Sequence, residues 1–271
     1  MIEHFGISEQ GPVRANNEDF ILHSSPEDSA ARLAKGHIFA VADGVGGNLS
    51  GEVASREAAE KLIACYNDSE RRWGKAFQDA FQQANLHVYD LSQSRPEYRR
   101  MQTTLSAIAL LNDQAIIGHV GDTRIYRVRN KKIEQITRDH SEVSELLRMN
   151  VITPEEARHH ARRHIITKTV GGEPFLQPEY HSIIVELGDI FILCTDGLWE
   201  PVGEQEIAEA AGNYAPESAC RRLIDLATAR ETADNLSIQI AKVTAWEGKP
   251  GESTTSRSNL LQKALGFFGR K

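Results

Sequence analysis

With 271 residues, 40% of them hydrophobic, the chain is long enough for one large domain with a substantial core. Its formal charge of -7 excludes a broad nucleic-acid-binding face, which needs clustered Lys and Arg. No basic leader precedes an apolar run and no stretch is long enough to span a bilayer, so a cytoplasmic location is expected. Cys65, Cys194 and Cys220, without close pairing, read as small buried hydrophobes in a reducing compartment and supply no thiolate metal site.

In chain order, Ile38 to Ala42 is a short apolar run stopped by Asp43-Gly44, the pattern of a buried strand ending in a tight turn. Helical spacing follows from Gly51 to about Cys65. A longer helix is expected from Arg71 to about Leu91, striped by Trp73, Phe77, Ala80, Phe81, Ala84, Val88 and Leu91. The runs 105–111, 115–120 and 125–128, separated by Asn112-Asp113 and Gly121-Asp122, suggest an antiparallel meander.

Thr153-Pro154-Glu155-Glu156 carries an N-cap residue, a proline at the first helical position and a glutamate at the third. With a helix over 141–149 it makes a polar, His- and Arg-rich excursion spanning 139–172. Strands resume at 183–185, 190–194 and 236–243, with helices over 204–211 and 217–229. Blocks of strands with helix pairs between them lack the regular alternation of a parallel sheet, so the expected class is an α+β sandwich. From Trp246 the composition turns to Gly, Pro, Ser and Thr, a flexible linker. It is followed by the apolar, basic Leu260–Lys271, which reads either as a loose terminus or as a short amphipathic helix contacting a membrane or a partner.

Chemistry concentrates in five short acidic motifs: Arg14 to Asp19, Asp43-Gly44-Val45-Gly46-Gly47, Gly121-Asp122-Thr123-Arg124, Thr195-Asp196-Gly197 and Asp234-Asn235. Each alone is a turn, cap or solvated-loop signal. Together they place six carboxylates beside apolar strands, where an unpaired charge is costly to desolvate and a shared hard cation removes that cost. His140, His159, His160 and His164 read as solvated side chains.

These motifs, with Thr103-Thr104, Asp139-His140-Ser141 and Thr195-Asp196-Gly197-Leu198-Trp199 in order, resemble the metal-dependent Ser/Thr protein phosphatases of the 2C type, particularly bacterial members. The resemblance covers about 1–245 and implies a four-layer α-β-β-α sandwich, two antiparallel sheets flanked by helix pairs, with a metal cleft at one end. It implies a catalytic domain over 1–245, a flap over 139–172 and a linker with tail over 246–271.

It further implies two Mn²⁺ or Mg²⁺ ions, with Asp43 bridging them, the Gly44 carbonyl and Glu18 on one or other ion, and Asp196 and Asp234 completing the pair. Asp19 would act through water, and Asp122 with Asp196 would hold a third, weaker ion. Asn17 and Asn235 would support these ligands. Arg14 would clamp the phosphoryl group while a metal-activated water attacks it, with no covalent intermediate. Arg158, Arg162 and Arg163 on the flap would meet an acidic phosphoprotein.

The implied function is hydrolysis of phosphoserine and phosphothreonine in substrates of a Ser/Thr kinase, by a monomer. A catalytically silent scaffold of the same fold and another two-metal phosphoester hydrolase are the alternatives. Two departures stand out: Val45 replaces the histidine that animal members use as general acid, and Gln102 replaces the usual glycine before the paired threonines. The leaving-group proton is therefore expected from a water near Asp122.

Overall fold

A computed structural model describes residues 1–26, 28–45 and 50–246. Gly46 and Gly47 of the second acidic motif and the tail over 247–271 lie outside the described residues. One five-stranded sheet has the order β1 (Ile2–Glu9), β10 (Leu236–Val243), β9 (Ile190–Cys194), β6 (Arg124–Arg129), β7 (Lys132–Gln135). The other has the order β2 (Asp19–Ser24), β3 (His37–Asp43), β4 (Leu105–Leu111), β5 (Gln114–Val120), β8 (Glu179–Ile184), and every pairing in both sheets is antiparallel.

Strand β3 shows why a continuous apolar run forms here. Its side chains alternate between two buried faces, Phe39 and Val41 packing between the sheets and Ile38, Ala40 and Ala42 toward the helices. Helices α2 (Gly51–Asp68) and α3 (Trp73–Ser94) cover that outer face through Ala58, Leu62, Phe77 and Phe81. Helices α7 (Glu204–Asn213) and α8 (Pro216–Ala229) cover the other sheet through Ile207, Leu223 and Ile224. The expected four layers are all present. Among the described residues no helix is long and apolar enough to cross a membrane.

The expected meander over 105–128 breaks. Strands β4 and β5 form a hairpin, but β6 crosses to the opposite sheet and pairs with β9. Gly121, at φ +108, turns the chain there, a conformation strained for any residue with a Cβ. Strands β1 and β2 and helix α1 (Ser29–Lys35) were not anticipated, because their half-exposed faces dilute the apolar period with Glu3, His4, His23 and Arg32. Edge strand β8 likewise begins at Glu179, ahead of the apolar run over 183–185.

Between β7 and β8 the chain makes its excursion, carrying α4 (Glu142–Arg148) and α5 (Pro154–Arg158). Thr153 and Glu156 form the anticipated reciprocal cap of α5. The segment returns through a bridge between Thr103 and Val170, and buried Asn85 of α3 accepts from Gly171 N at 2.9 Å.

Candidate metal centre

The sheet topology brings the acidic motifs to one end of the sandwich. Asp19 opens β2 and Asp43 closes β3, and the two are direct cross-strand partners. Asp196 follows β9 at the start of α6 (Asp196–Trp199), Asp234 lies two residues before β10, and Asp122 lies in the turn that exchanges sheets. Because β10 lies beside β9, with Ile238 opposite Cys194, the Asp234 and Asp196 turns are adjacent.

Backbone and side-chain hydrogen bonds fix the turns and loops that carry the carboxylates. Asp43 N donates to Thr104 Oγ1 at 2.9 Å, and Thr103 Oγ1 donates to the Asp43 carbonyl at 2.8 Å. Thr195 Oγ1 donates to Asp19 Oδ2 at 2.8 Å, and Asp19 N to Asn17 Oδ1 at 3.1 Å. Asn235 is a junction: its Oδ1 accepts from Glu18 N, while its amide donates to the Gln10 and Asn16 carbonyls at 2.7 and 2.9 Å. Gly44 N donates to the Glu18 carbonyl at 3.0 Å. Asn17 and Asn235 thus shape the loops that carry Glu18, Asp19 and Asp234.

A Cβ on Gly197 would lie 2.0 Å from the Asn235 carbonyl oxygen, so glycine is what lets the Asp196 turn pack against the Asp234 turn. Asp122 is held through its carbonyl, which accepts from Trp199 Nε1 at 3.1 Å. The Trp199 ring lies 3.4 Å from the Arg124 guanidinium, which makes a forked bond to Asp139 at 2.7 to 3.2 Å.

The electrostatics of the cluster are unfavourable without cations. Burial, and then the neighbouring Asp19, Asp196, Asp122 and Asp234, pushes the Asp43 carboxyl well above its ordinary range. Burial, then Asp122 and Asp234, does the same for Asp196. Asp19 and Asp122, each 6% exposed, are pushed up to about 7, in both cases mainly by burial.

Asp196 Oδ1 is buried and accepts no hydrogen bond among the described residues. A guanidinium reaches the cluster from Arg14, 2.7 Å from Asp234 Oδ2. A set of oxygen donors with excess negative charge and an orphaned carboxylate oxygen fits hard divalent ions such as Mn²⁺ and Mg²⁺. All six carboxylates singled out in the sequence, and the Gly44 backbone, come to this end of the fold.

The excursion residues behave differently from one another. Arg162 pairs with Glu142 at 3.0 Å and Arg163 lies 3.9 Å from Glu200, so both face carboxylates of this chain, while the Arg158 side chain lies outside the described residues. His164, Asp196 and Glu200 place one ligand atom each within 4.8 Å of one another, a grouping in which Glu200 carried no sequence signal because no motif marks it. His140 departs from the solvated reading: its side chain is 11% exposed and its Nδ1 accepts from Gly121 N at 3.1 Å. Gln102 keeps the local backbone intact, its carbonyl accepting from Val45 N at 3.0 Å and its Oε1 accepting from Thr169 Oγ1 at 2.7 Å. Thr195 and Trp199, quoted in the sequence only as motif members, bind the Asp19 carboxylate and the Asp122 carbonyl, and Asp139 pairs with the Arg124 that lies against Trp199.

Comparison with known proteins gives a consistent result. The family model for protein phosphatase 2C matches residues 16–240. Protein phosphatase PhpP of Streptococcus pneumoniae is 31% identical over 245 residues, covering 88% of this chain and 96% of its own length. The structure of Serine/threonine phosphatase Stp1 from Staphylococcus aureus superposes with a TM-score of 0.83 at 28% identity, covering 90% of this chain and 96% of that one. The catalytic domain of serine threonine protein phosphatase PstP, in complex with two manganese ions, gives a TM-score of 0.78 at 30% identity, covering 90% of this chain and 99% of that domain.

Proposed function

This chain belongs to the protein phosphatase 2C family, and from that premise we propose that it is a metal-dependent protein phosphatase that hydrolyses phosphoserine and phosphothreonine in substrates of a Ser/Thr kinase. The observation that carries the reading is the buried, unpartnered Asp196 Oδ1 inside a cluster whose carboxyls are forced upward by one another.

Asp43, Asp196, Asp234, Glu18 and the Gly44 carbonyl would hold two Mn²⁺ or Mg²⁺ ions, with Asp122 and Asp196 contributing to a third. When bound, the ions supply the charge that ionises a water near neutral pH and draws electron density from the phosphoryl oxygens. Arg14 presents a planar guanidinium to the phosphoryl oxygens, exchanging its bond to Asp234 for bonds to substrate. Asp19, held by Thr195, would act on the ions through water. Asn17 and Asn235 hold the loops on which Glu18 and Asp234 ride. Val45 has no proton to give the departing alkoxide, so that proton comes from a water beside Asp122.

Residues 1–245 serve as the catalytic domain, with 139–172 as a flap over the cleft and 246–271 as linker and tail. A monomer in the cytoplasm, with the tail contacting a membrane or a partner, completes the reading. A silent scaffold is disfavoured because none of the expected carboxylates is missing from the sequence, and another two-metal hydrolase because the relatives are named as protein phosphatases. The test is phosphate release from a phosphothreonine peptide as a function of Mn²⁺. Turnover that needs the metal is expected, and metal-independent or absent turnover would overturn the reading.

A further inference from the structure

Near the Asp43 turn, a short loop displays two arginines whose side chains have no partner among the described residues. A 3-10 turn at Pro96–Tyr98 opens the connection from α3 to β4, and Arg99 and Arg100 follow it before the buried Met101. The loop is anchored on both sides. Ser50 Oγ, at the start of α2, donates to the Glu97 carbonyl at 3.1 Å, Met101 N donates to the Tyr98 carbonyl at 3.0 Å, and the Gln102 carbonyl is bound to Val45 N beside Asp43.

Between these anchors Arg100 adopts φ +64, the left-handed region that a side chain with a Cβ enters at a cost of about 1 kcal/mol. Both arginines are exposed. Among the described residues neither side chain has an ion pair, a hydrogen bond or a ring partner, whereas Arg95 lies over the Tyr98 ring and Arg162 and Arg163 face Glu142 and Glu200. Glu97, in the same loop, offsets one of these charges.

We propose that Arg99 and Arg100 form a basic rim that selects phosphorylated segments carrying Asp or Glu beside the phosphoresidue. The proposal rests on the phosphatase reading above. Three observations converge on it. A formal charge of -7 repels an acidic substrate from the molecule as a whole, so attraction must be local. The left-handed turn at Arg100, closed by the Met101 N to Tyr98 carbonyl bond, holds both arginines on a fixed, exposed loop. The loop also lies within reach. Arg100 is four residues from Thr104, whose hydroxyl binds Asp43 N, and an extended peptide advancing ~3.4 Å per residue meets it within about five residues of the phosphoryl group.

The test compares two phosphothreonine peptides of identical core, one flanked by three glutamates and one by three alanines, with p-nitrophenyl phosphate as the control that has no flanking residues. For the wild-type chain with Mn²⁺, kcat/KM on the acidic peptide should exceed that on the alanine peptide by about 5–10-fold, mostly through KM, and 0.5 M salt should shrink the ratio. In the double variant R99A/R100G the ratio should fall to about one while p-nitrophenyl phosphate turnover is unchanged. Glycine at 100 relieves the left-handed backbone, so this variant should melt no lower than wild type. An undiminished preference in the variant, or none in wild type, overturns the proposal while leaving the phosphatase reading intact. Failure of wild type on all three substrates overturns that reading, and the rim with it.

Discussion

The Arg14 guanidinium lies 2.7 Å from Asp234 Oδ2, joining a residue expected to bind phosphate to one expected to bind metal, 220 positions apart in sequence. The pair holds Arg14 aimed into the cluster, where Glu18 and Asp43 also raise its proton affinity after the Asp234 bond itself. Replacing Arg14 with Ala should lower kcat/KM on a phosphothreonine peptide by about 10- to 100-fold, the worth of a charge-assisted hydrogen bond. Lysine should restore only part of it, since an ammonium cannot match the forked geometry. Unchanged steady-state constants in R14A would remove Arg14 from the phosphoryl group.

Repulsion within the cluster has a thermal signature. With Asp43 pressed by four other carboxylates, Asp43→Asn should raise the melting temperature of the metal-free protein in chelator. Wild type should gain about 2.7 kcal/mol per site at a Mn²⁺ concentration 100-fold above Kd, and D43N should lose most of that gain. Thermal unfolding with and without Mn²⁺ reads both effects, and a metal-free D43N that melts below wild type would contradict them.

Gly197 sits where a Cβ would be 2.0 Å from the Asn235 carbonyl. Gly197→Ala must push the Asp196 turn away from Asp234, so urea unfolding should show a loss of about 1–3 kcal/mol. Mn²⁺ affinity measured by calorimetry should drop together with stability, and a drop in stability alone would separate this glycine from the metal centre.

Trp199 and Asp122 offer a milder probe. Trp199→Phe keeps an aromatic face under Arg124 but removes the donor to the Asp122 carbonyl, at a cost of about 1 kcal/mol in urea unfolding. Asp122→Ala should slow phosphopeptide turnover because the water beside it is expected to protonate the departing alkoxide. Unaltered turnover in D122A would exclude that route.

His119 is fully buried, its Nδ1 2.7 Å from Ser106 Oγ and its Nε2 2.9 Å from the Arg138 carbonyl. Burial, and then the stacked His140, lowers its pKa to about 4. The unfolded chain therefore takes up this proton near pH 6.5 and the folded chain only near pH 4. The histidine's contribution to stability is complete above pH 6.5 and is lost as pH falls toward 4, by roughly 3 kcal/mol in total. The carboxylates pushed upward give the opposite slope in any variant, so the comparison is with His119→Gln. The wild-type curve should fall below that of H119Q on acidification, and parallel curves would refute the assignment.

The layered fold was legible in β3 and β9, where both faces are buried and apolar residues run without interruption, and in α3, where an apolar stripe repeats at helical spacing. It was illegible at β1 and β2, where solvent claims one face, and at the sheet exchange after β5, because Gly121-Asp122 looks the same whether a hairpin or a crossover follows. The acidic ladder was readable because buried carboxylates need a shared reason to exist. Glu200, the Trp199 donor and the roles of Arg99 and Arg100 were not, since each depends on which loops the topology sets side by side.

The most direct test of the central claim is Mn²⁺-dependent phosphate release from a phosphothreonine peptide, measured side by side for wild type, Asp43→Ala and Asp196→Ala. Wild type should turn over only with metal, and both variants should fall to background while retaining a folded circular dichroism spectrum. Turnover by either variant at the wild-type rate would contradict a phosphatase centre built on these two carboxylates.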